Sequence, residues 1–85
     1  MTNEQIELLL KETLNLSEVH VQSEGTHYKI IAVSDDFEAM SRVKRQQAVY
    51  APLKEKIADG SLHAITIKTF TEAQWQRERM FNMPS

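Results

Sequence analysis

Between Ser61 and Trp75 the sequence SLHAITIKTFTEAQW changes period once. Leu62, Ala64, Thr66, Lys68 and Phe70 alternate with His63, Ile65, Ile67 and Thr69, the two-residue repeat of a β-strand. Thr71-Glu72-Ala73-Gln74 follows without a break and has the form of a capping box, so a helix carrying Trp75 starts where the strand stops. A strand that is reached through a helix has few ways to join a sheet. It can run parallel to an earlier strand, with the helix as the crossover.

The upstream residues supply that earlier strand. Thr2 or Asn3 caps a first helix with Glu4 in its opening turn, and Ile6, Leu9, Leu10, Thr13 and Leu14 form its apolar stripe up to about Leu16. Val19 and Val21 then alternate with Glu18, His20 and Gln22, and Ser23-Glu24-Gly25-Thr26 turns the chain into a second strand from Tyr28 to Ser34. In that strand Tyr28, Ile30 and Ala32 oppose Lys29, Ile31 and Val33, so both faces are expected to be partly covered. Phe37, alone among Asp35, Asp36 and Glu38, is expected to plug the core from a loop.

Ser41 caps a longer helix over 42–58, with Val43, Tyr50, Leu53 and Ile57 as its stripe. Pro52 removes an amide donor and crowds the preceding turn, which predicts a kink or restart between Tyr50 and Pro52. Asp59-Gly60 ends the segment with glycine at a left-handed cap. Trp75 should anchor the last helix, and residues 82–85 read as a fraying tail. The order helix, strand, strand, helix, strand, helix predicts one α/β (α+β) domain over residues 1–85, with a three-stranded mixed sheet and helices packed on one face.

A chain of 85 residues buries roughly 60–65% of the surface its unfolded form exposes, too little for a large enclosed active-site cavity. Charged residues at 26% and apolar residues at 41% suit a domain that folds without a ligand. No cysteine is present, so disulfides are excluded. No signal-peptide pattern and no long apolar run occur either, and a cytoplasmic protein away from membranes is expected. The formal net charge of −2 is unevenly spread: acids fill the first helix and the Asp35 to Glu38 segment, while Arg42, Lys44, Arg45 and Lys54 gather in the middle. There is no activated nucleophile pattern, phosphate-cradling glycine loop or metalloprotease spacing, so catalysis is not expected. The adjacent carboxylates of Asp35 and Asp36 read as solvating a turn.

His63, at the mouth of the third strand, is the strongest candidate for chemistry. A neutral imidazole is a good ligand for borderline metals, and any thiolate must come from a partner.

Thr26-His27-Tyr28, the segment Phe37-Glu38-Ala39-Met40-Ser41-Arg42, the following VKRQQAVYAPL and the LHAITIKTFTEAQW block together resemble the BolA family, in particular its short IbaG-like members. The resemblance spans nearly the whole chain. It implies a fold like a type II KH domain. It also implies a heterodimer with a monothiol glutaredoxin that shares a bridging [2Fe–2S] cluster, in iron–sulfur trafficking or in iron and stress regulation. Histidine can replace cysteine on one iron of such a cluster. His63 is then the principal ligand and His27 the second candidate, completed by a glutaredoxin cysteine and a glutathione thiolate. Some relatives place a cysteine or histidine slightly earlier in the hairpin turn, where this chain has Ser23, Glu24 and Gly25. His20 is expected to face solvent. Alone, the chain is expected to hold no cofactor and to be a monomer or weak homodimer.

Nucleic-acid binding is the alternative class. KH modules clamp a single strand with a GxxG loop, which is absent here. Arg42, Lys44 and Arg45 at a helix start can nevertheless contact phosphates. BolA relatives have been linked with transcriptional regulation, so the resemblance keeps DNA as a second partner class.

Overall fold

The computed structural model describes residues 2–82. Helix α1 spans Asn3–Thr13, and Thr2 closes a reciprocal cap: its Oγ1 accepts the Gln5 amide at 3.1 Å and its own amide donates to Gln5 Oε1 at 2.9 Å. Ile6 and Leu10 on α1 are fully buried. Strands β1 (Glu18–Glu24) and β2 (His27–Val33) form the expected hairpin, with Glu24 paired to His27 across the two-residue loop Gly25-Thr26. Gly25 takes a positive φ of 61° at the first loop position, which matches the twist of tight hairpins and disfavours any residue with a Cβ.

Strand β3 (Ala64–Phe70) pairs parallel to β2, so the sheet is mixed and ordered β1-β2-β3. The crossover runs through a 3-10 turn at Asp35–Ala39, helix α2 (Arg42–Tyr50), a second 3-10 turn at Ala51–Leu53 and helix α3 (Lys54–Ala58). The predicted restart at Pro52 is therefore present, with the proline at the start of the 3-10 turn where its missing amide costs no bond. Ser41 caps α2 by accepting the Lys44 amide at 3.2 Å. Helix α4 runs over Glu72–Asn82 and so reaches the first residue of the expected tail; residues 83–85 lie outside the described residues. Among the described residues no helix is long and apolar enough to cross a membrane.

The central strand β2 is apolar on both sides, so both faces of the sheet need cover. Ile30 and Ala32 join Ile6, Leu10, Val19, Phe37, Val49, Leu53 and Leu62 in the main core. Ile31 and Val33 point the other way and meet Trp75, with Phe70 packed alongside. The helices expected on one face thus divide: α1, α2 and α3 pack on the first, and α4 brings Trp75 to the second.

Two expected stripes shift. On α2, Val43 is 64% exposed and Tyr50 is 41% exposed, while the buried residues are Val49 and, in the turn that follows, Leu53. The positions one turn earlier on that inward side hold Arg45 and Gln46, which an apolar-periodicity reading passes over. In the third strand, alternation fails at its start. Leu62 lies before β3 and enters the main core, away from Phe70, because its amide bonds to Lys56 O at 3.1 Å and ties it to the end of α3. His63 consequently sits just outside the strand.

Each sheet edge meets a helix side chain. Glu7 of α1 accepts the Val21 amide on β1 at 3.2 Å, and Gln46 of α2 donates to the Ile67 carbonyl on β3 at 2.9 Å. Such contacts blunt pairing with another chain.

Candidate functional site

The parallel pairing of β2 and β3 brings the two candidate histidines to one end of the sheet. His27 opens β2, its Cα partner on β3 is Ala64, and His63 is the residue just before Ala64. Both histidines are exposed. Their surroundings differ. The His27 ring lies over β3, where Nε2 is 2.9 Å from Thr66 Oγ1. Glu24 faces it across the hairpin, and Lys29 and Gln22 complete a shallow groove of about 290 Å³. His63, outside the strand, is not bound to the alternation that orients His27. The donor set at this end is therefore two accessible imidazoles on neighbouring chain segments. Imidazole nitrogen suits iron, and two imidazoles with two external thiolates match the four ligands of a histidine-bearing [2Fe–2S] centre. Among the described residues no three His, Asp or Glu side chains come together as a metal-holding group.

The third histidine corrects an expectation. His20 is not solvent-facing: its side chain is 23% exposed, its ring centroid lies 5.5 Å from that of Trp75, and Nε2 lies 3.3 Å from Glu18 Oε1. Register explains this, because His20 pairs with Ile31 and so shares the face that Trp75 covers. The Trp75 indole, fully buried, is held between His20 and Phe70, whose centroid is 5.4 Å away.

The three basic candidates also separate. Arg42 and Lys44 are exposed at the start of α2. Arg45 turns inward: Nε donates to Phe37 O at 2.8 Å and to Met40 O at 3.3 Å, and Nη1 donates to Gln74 Oε1 at 3.2 Å. The same Gln74 oxygen accepts the Thr71 amide at 2.9 Å, and the Gln74 amide donates to Thr71 Oγ1 at 3.2 Å. This is the capping box read from the sequence, enlarged by an arginine from another helix. Arg45 thereby joins the first 3-10 turn, α2 and α4.

Beside this junction lies a cleft of about 460 Å³ between α2 and α4, bounded by Arg42, Arg45 and Arg77 with Phe70 and Gln74. Arg77 was not singled out by sequence reasoning, since on α4 alone it is one charge among several. Thr66 was likewise missed; as an outward strand threonine it carries no signal until strand register is known.

Compared with known proteins, residues 4–74 match the family described as BolA-like protein. The chain is 50% identical over 82 residues to the acid stress protein IbaG of Escherichia coli, covering 96% of this chain and 98% of that protein. It is 49% identical over 82 residues to an uncharacterized protein of Haemophilus influenzae, with 96% of each covered. Among solved structures, that of BolA1 from Mus musculus aligns with a TM-score of 0.76 at 29% identity, over 98% of this chain and 75% of that one.

Proposed function

Since the chain belongs to the BolA family, we propose that it is an adaptor rather than an enzyme, pairing with a monothiol glutaredoxin and sharing a bridging [2Fe–2S] cluster. The observation that carries this reading is the placement of His27 and His63, both exposed, at the same end of the β2–β3 pair. His63 acts as the principal ligand, being free of the strand and able to meet a partner's cluster without disturbing the sheet. His27 acts as the second, after its ring leaves or keeps the contact with Thr66. The partner's cysteine and glutathione supply the thiolates that this chain lacks. Ligand type and hydrogen bonding set the potential of such a cluster, so exchanging thiolates for imidazoles changes how readily it is reduced or passed on.

The nucleic-acid alternative is less well supported. Of its three cations, Arg45 uses Nε and one Nη1 hydrogen on two carbonyls and Gln74, which turns it inward from the exposed face of Arg42 and Lys44 and leaves only Nη2 and one Nη1 hydrogen for an anion. Arg42 and Lys44 alone make a small phosphate contact set, and the neighbouring Asp35, Asp36 and Glu38 oppose it.

The test is anaerobic reconstitution of a monothiol glutaredoxin with iron, sulfide and glutathione, titrated with this chain and followed by visible circular dichroism and size exclusion. A one-to-one species with a changed cluster spectrum is expected. His63→Ala should abolish that spectrum while leaving far-ultraviolet dichroism intact, and His27→Ala should alter it. A wild-type spectrum in the His63→Ala complex would remove His63 as a ligand, and the absence of any complex would remove the reading itself.

A further inference from the structure

The cleft between α2 and α4 lies at the other end of β3 from His63. Ala64 and Phe70 are six residue steps apart along the strand, a span of roughly 20 Å, so the two ends can be occupied independently. We propose that this cleft binds a small phosphate monoester joined to a flat or apolar body.

Charge is the first argument. Although the whole chain is formally −2, three guanidiniums line this one cleft, from Arg42, Arg45 and Arg77, and Glu78 is its single acidic lining residue. A phosphate monoester carries roughly −1.5 to −2 near neutral pH, which suits the local excess better than a single carboxylate does. Pre-organisation is the second. The Arg45 guanidinium is fixed by bonds to Phe37 O, Met40 O and Gln74 Oε1, so presenting it to an anion costs little side-chain entropy. Guanidinium geometry also matches phosphate oxygens in pairs.

Shape is the third. A volume of about 460 Å³ falls in the range of small-molecule sites. Phe70, whose ring lies 5.4 Å from that of Trp75, and Met40 are the two apolar residues of a lining that is otherwise polar. One aromatic residue beside an anion site suits a ligand with both a phosphate and a planar group. A long polyanion fits less well, because the exposed carboxylates of Asp35, Asp36 and Glu38 occupy the turn that leads into the cleft and would repel a backbone continuing past it.

The experiment is an amide-resolved NMR titration of the full apo chain with adenosine 5′-monophosphate, adenosine, inorganic phosphate and a short oligodeoxyadenylate as separate probes. The monophosphate should shift the Thr69, Phe70 and Gln74 amides with saturation at millimolar concentration, inorganic phosphate should shift the same amides more weakly, and adenosine should not. Arg42→Ala and Arg77→Ala, both at exposed positions, should each weaken the monophosphate by about tenfold with the amide spectrum otherwise preserved. Lys44→Ala, outside the cleft, should leave the affinity unchanged. The proposal is overturned if the monophosphate leaves those amides in place, if Lys44→Ala weakens binding as much as Arg77→Ala, or if only the oligonucleotide binds. Because the probes act on the apo chain alone, these outcomes are independent of whether a cluster is shared at the histidine end.

Discussion

Replacing Arg45 by alanine removes the side-chain donor shared by the Phe37 and Met40 carbonyls and the one that reaches Gln74 Oε1. Hydrogen bonds from a charged donor contribute about 1.5–3 kcal/mol each, and part of the loss is recovered by water at this half-buried position. Arg45→Ala is therefore expected to lower unfolding stability by about 2 kcal/mol, read as a shifted urea midpoint at constant slope. Arg45→Lys should not restore it, since one ammonium cannot span the same acceptors. Arg42→Ala, at an exposed position, should change the midpoint little. The contrast explains what the sequence conveyed and what it withheld. Ser41 and Thr71 were legible as caps because a cap is a local device, set by residues within one turn. Arg45 was read with Arg42 and Lys44 as one basic face because its acceptors lie in other elements. His20 was misplaced for a related reason, since the ring that covers it belongs to the last helix.

At the level of elements, α3 ends through Asp59 and Gly60. The Ser61 amide donates to Asp59 Oδ1 at 2.9 Å, and Gly60 holds a positive φ of 84°. The Ser61 hydroxyl and amide hold the Asp59 carboxyl below its ordinary value. A carboxyl lowered in the folded state adds stability when the pH is above its unfolded pKa. That contribution is lost as the pH falls from the ordinary carboxylate range through the lowered folded value. Asp59→Asn keeps an acceptor oxygen but removes the titration, so its stability should fall less steeply than the wild type's on acidification across that range. Chemical denaturation at a series of acidic pH values checks this; parallel curves would show that Asp59 carries no such linkage. The same segment shows why the start of the third strand resisted reading. Strict alternation puts Leu62 with Phe70, but the tie from Leu62 to Lys56 O draws it into the core and leaves His63 outside the sheet. The hairpin was legible because a glycine-bearing turn separates two alternating runs, although the turn read over Ser23 to Thr26 tightens to Gly25-Thr26, with Ser23 and Glu24 paired to Tyr28 and His27; the Pro52 restart was legible because proline acts on its own turn. The inward side of α2 was not, because Arg45 and Gln46 stand where the pattern calls for apolar residues.

Across the whole molecule, the length of β3 separates two regions of different chemistry: two exposed imidazoles where β2 and β3 begin, and three arginines where β3 ends. The first was visible in the sequence through His63 and the resemblance that singled it out; of the second, Arg42 and Arg45 were read only as part of a basic helix start, because the cleft depends on Arg77 arriving from a helix on the opposite face. That helix is moored lightly. Among its described side chains Trp75 alone is buried, and the ring fills the space over Ile31 and Val33. Such an arrangement is the ingredient of an opening reaction in which one element leaves while the rest stays folded. Amide exchange of α4 should then proceed faster than that of β2, through an opening that global unfolding does not govern, and Trp75→Ala should accelerate it further. Uniform exchange protection across α4 and β2 would show a single cooperative unit instead. Release of α4 also carries Gln74 and Arg77 away from Arg45, so the arginine cleft exists only in the closed form. Any ligand it accepts would slow exchange in α4 by mass action, in proportion to its occupancy, making the deuterium content of one short helix a gauge of what the cleft is holding.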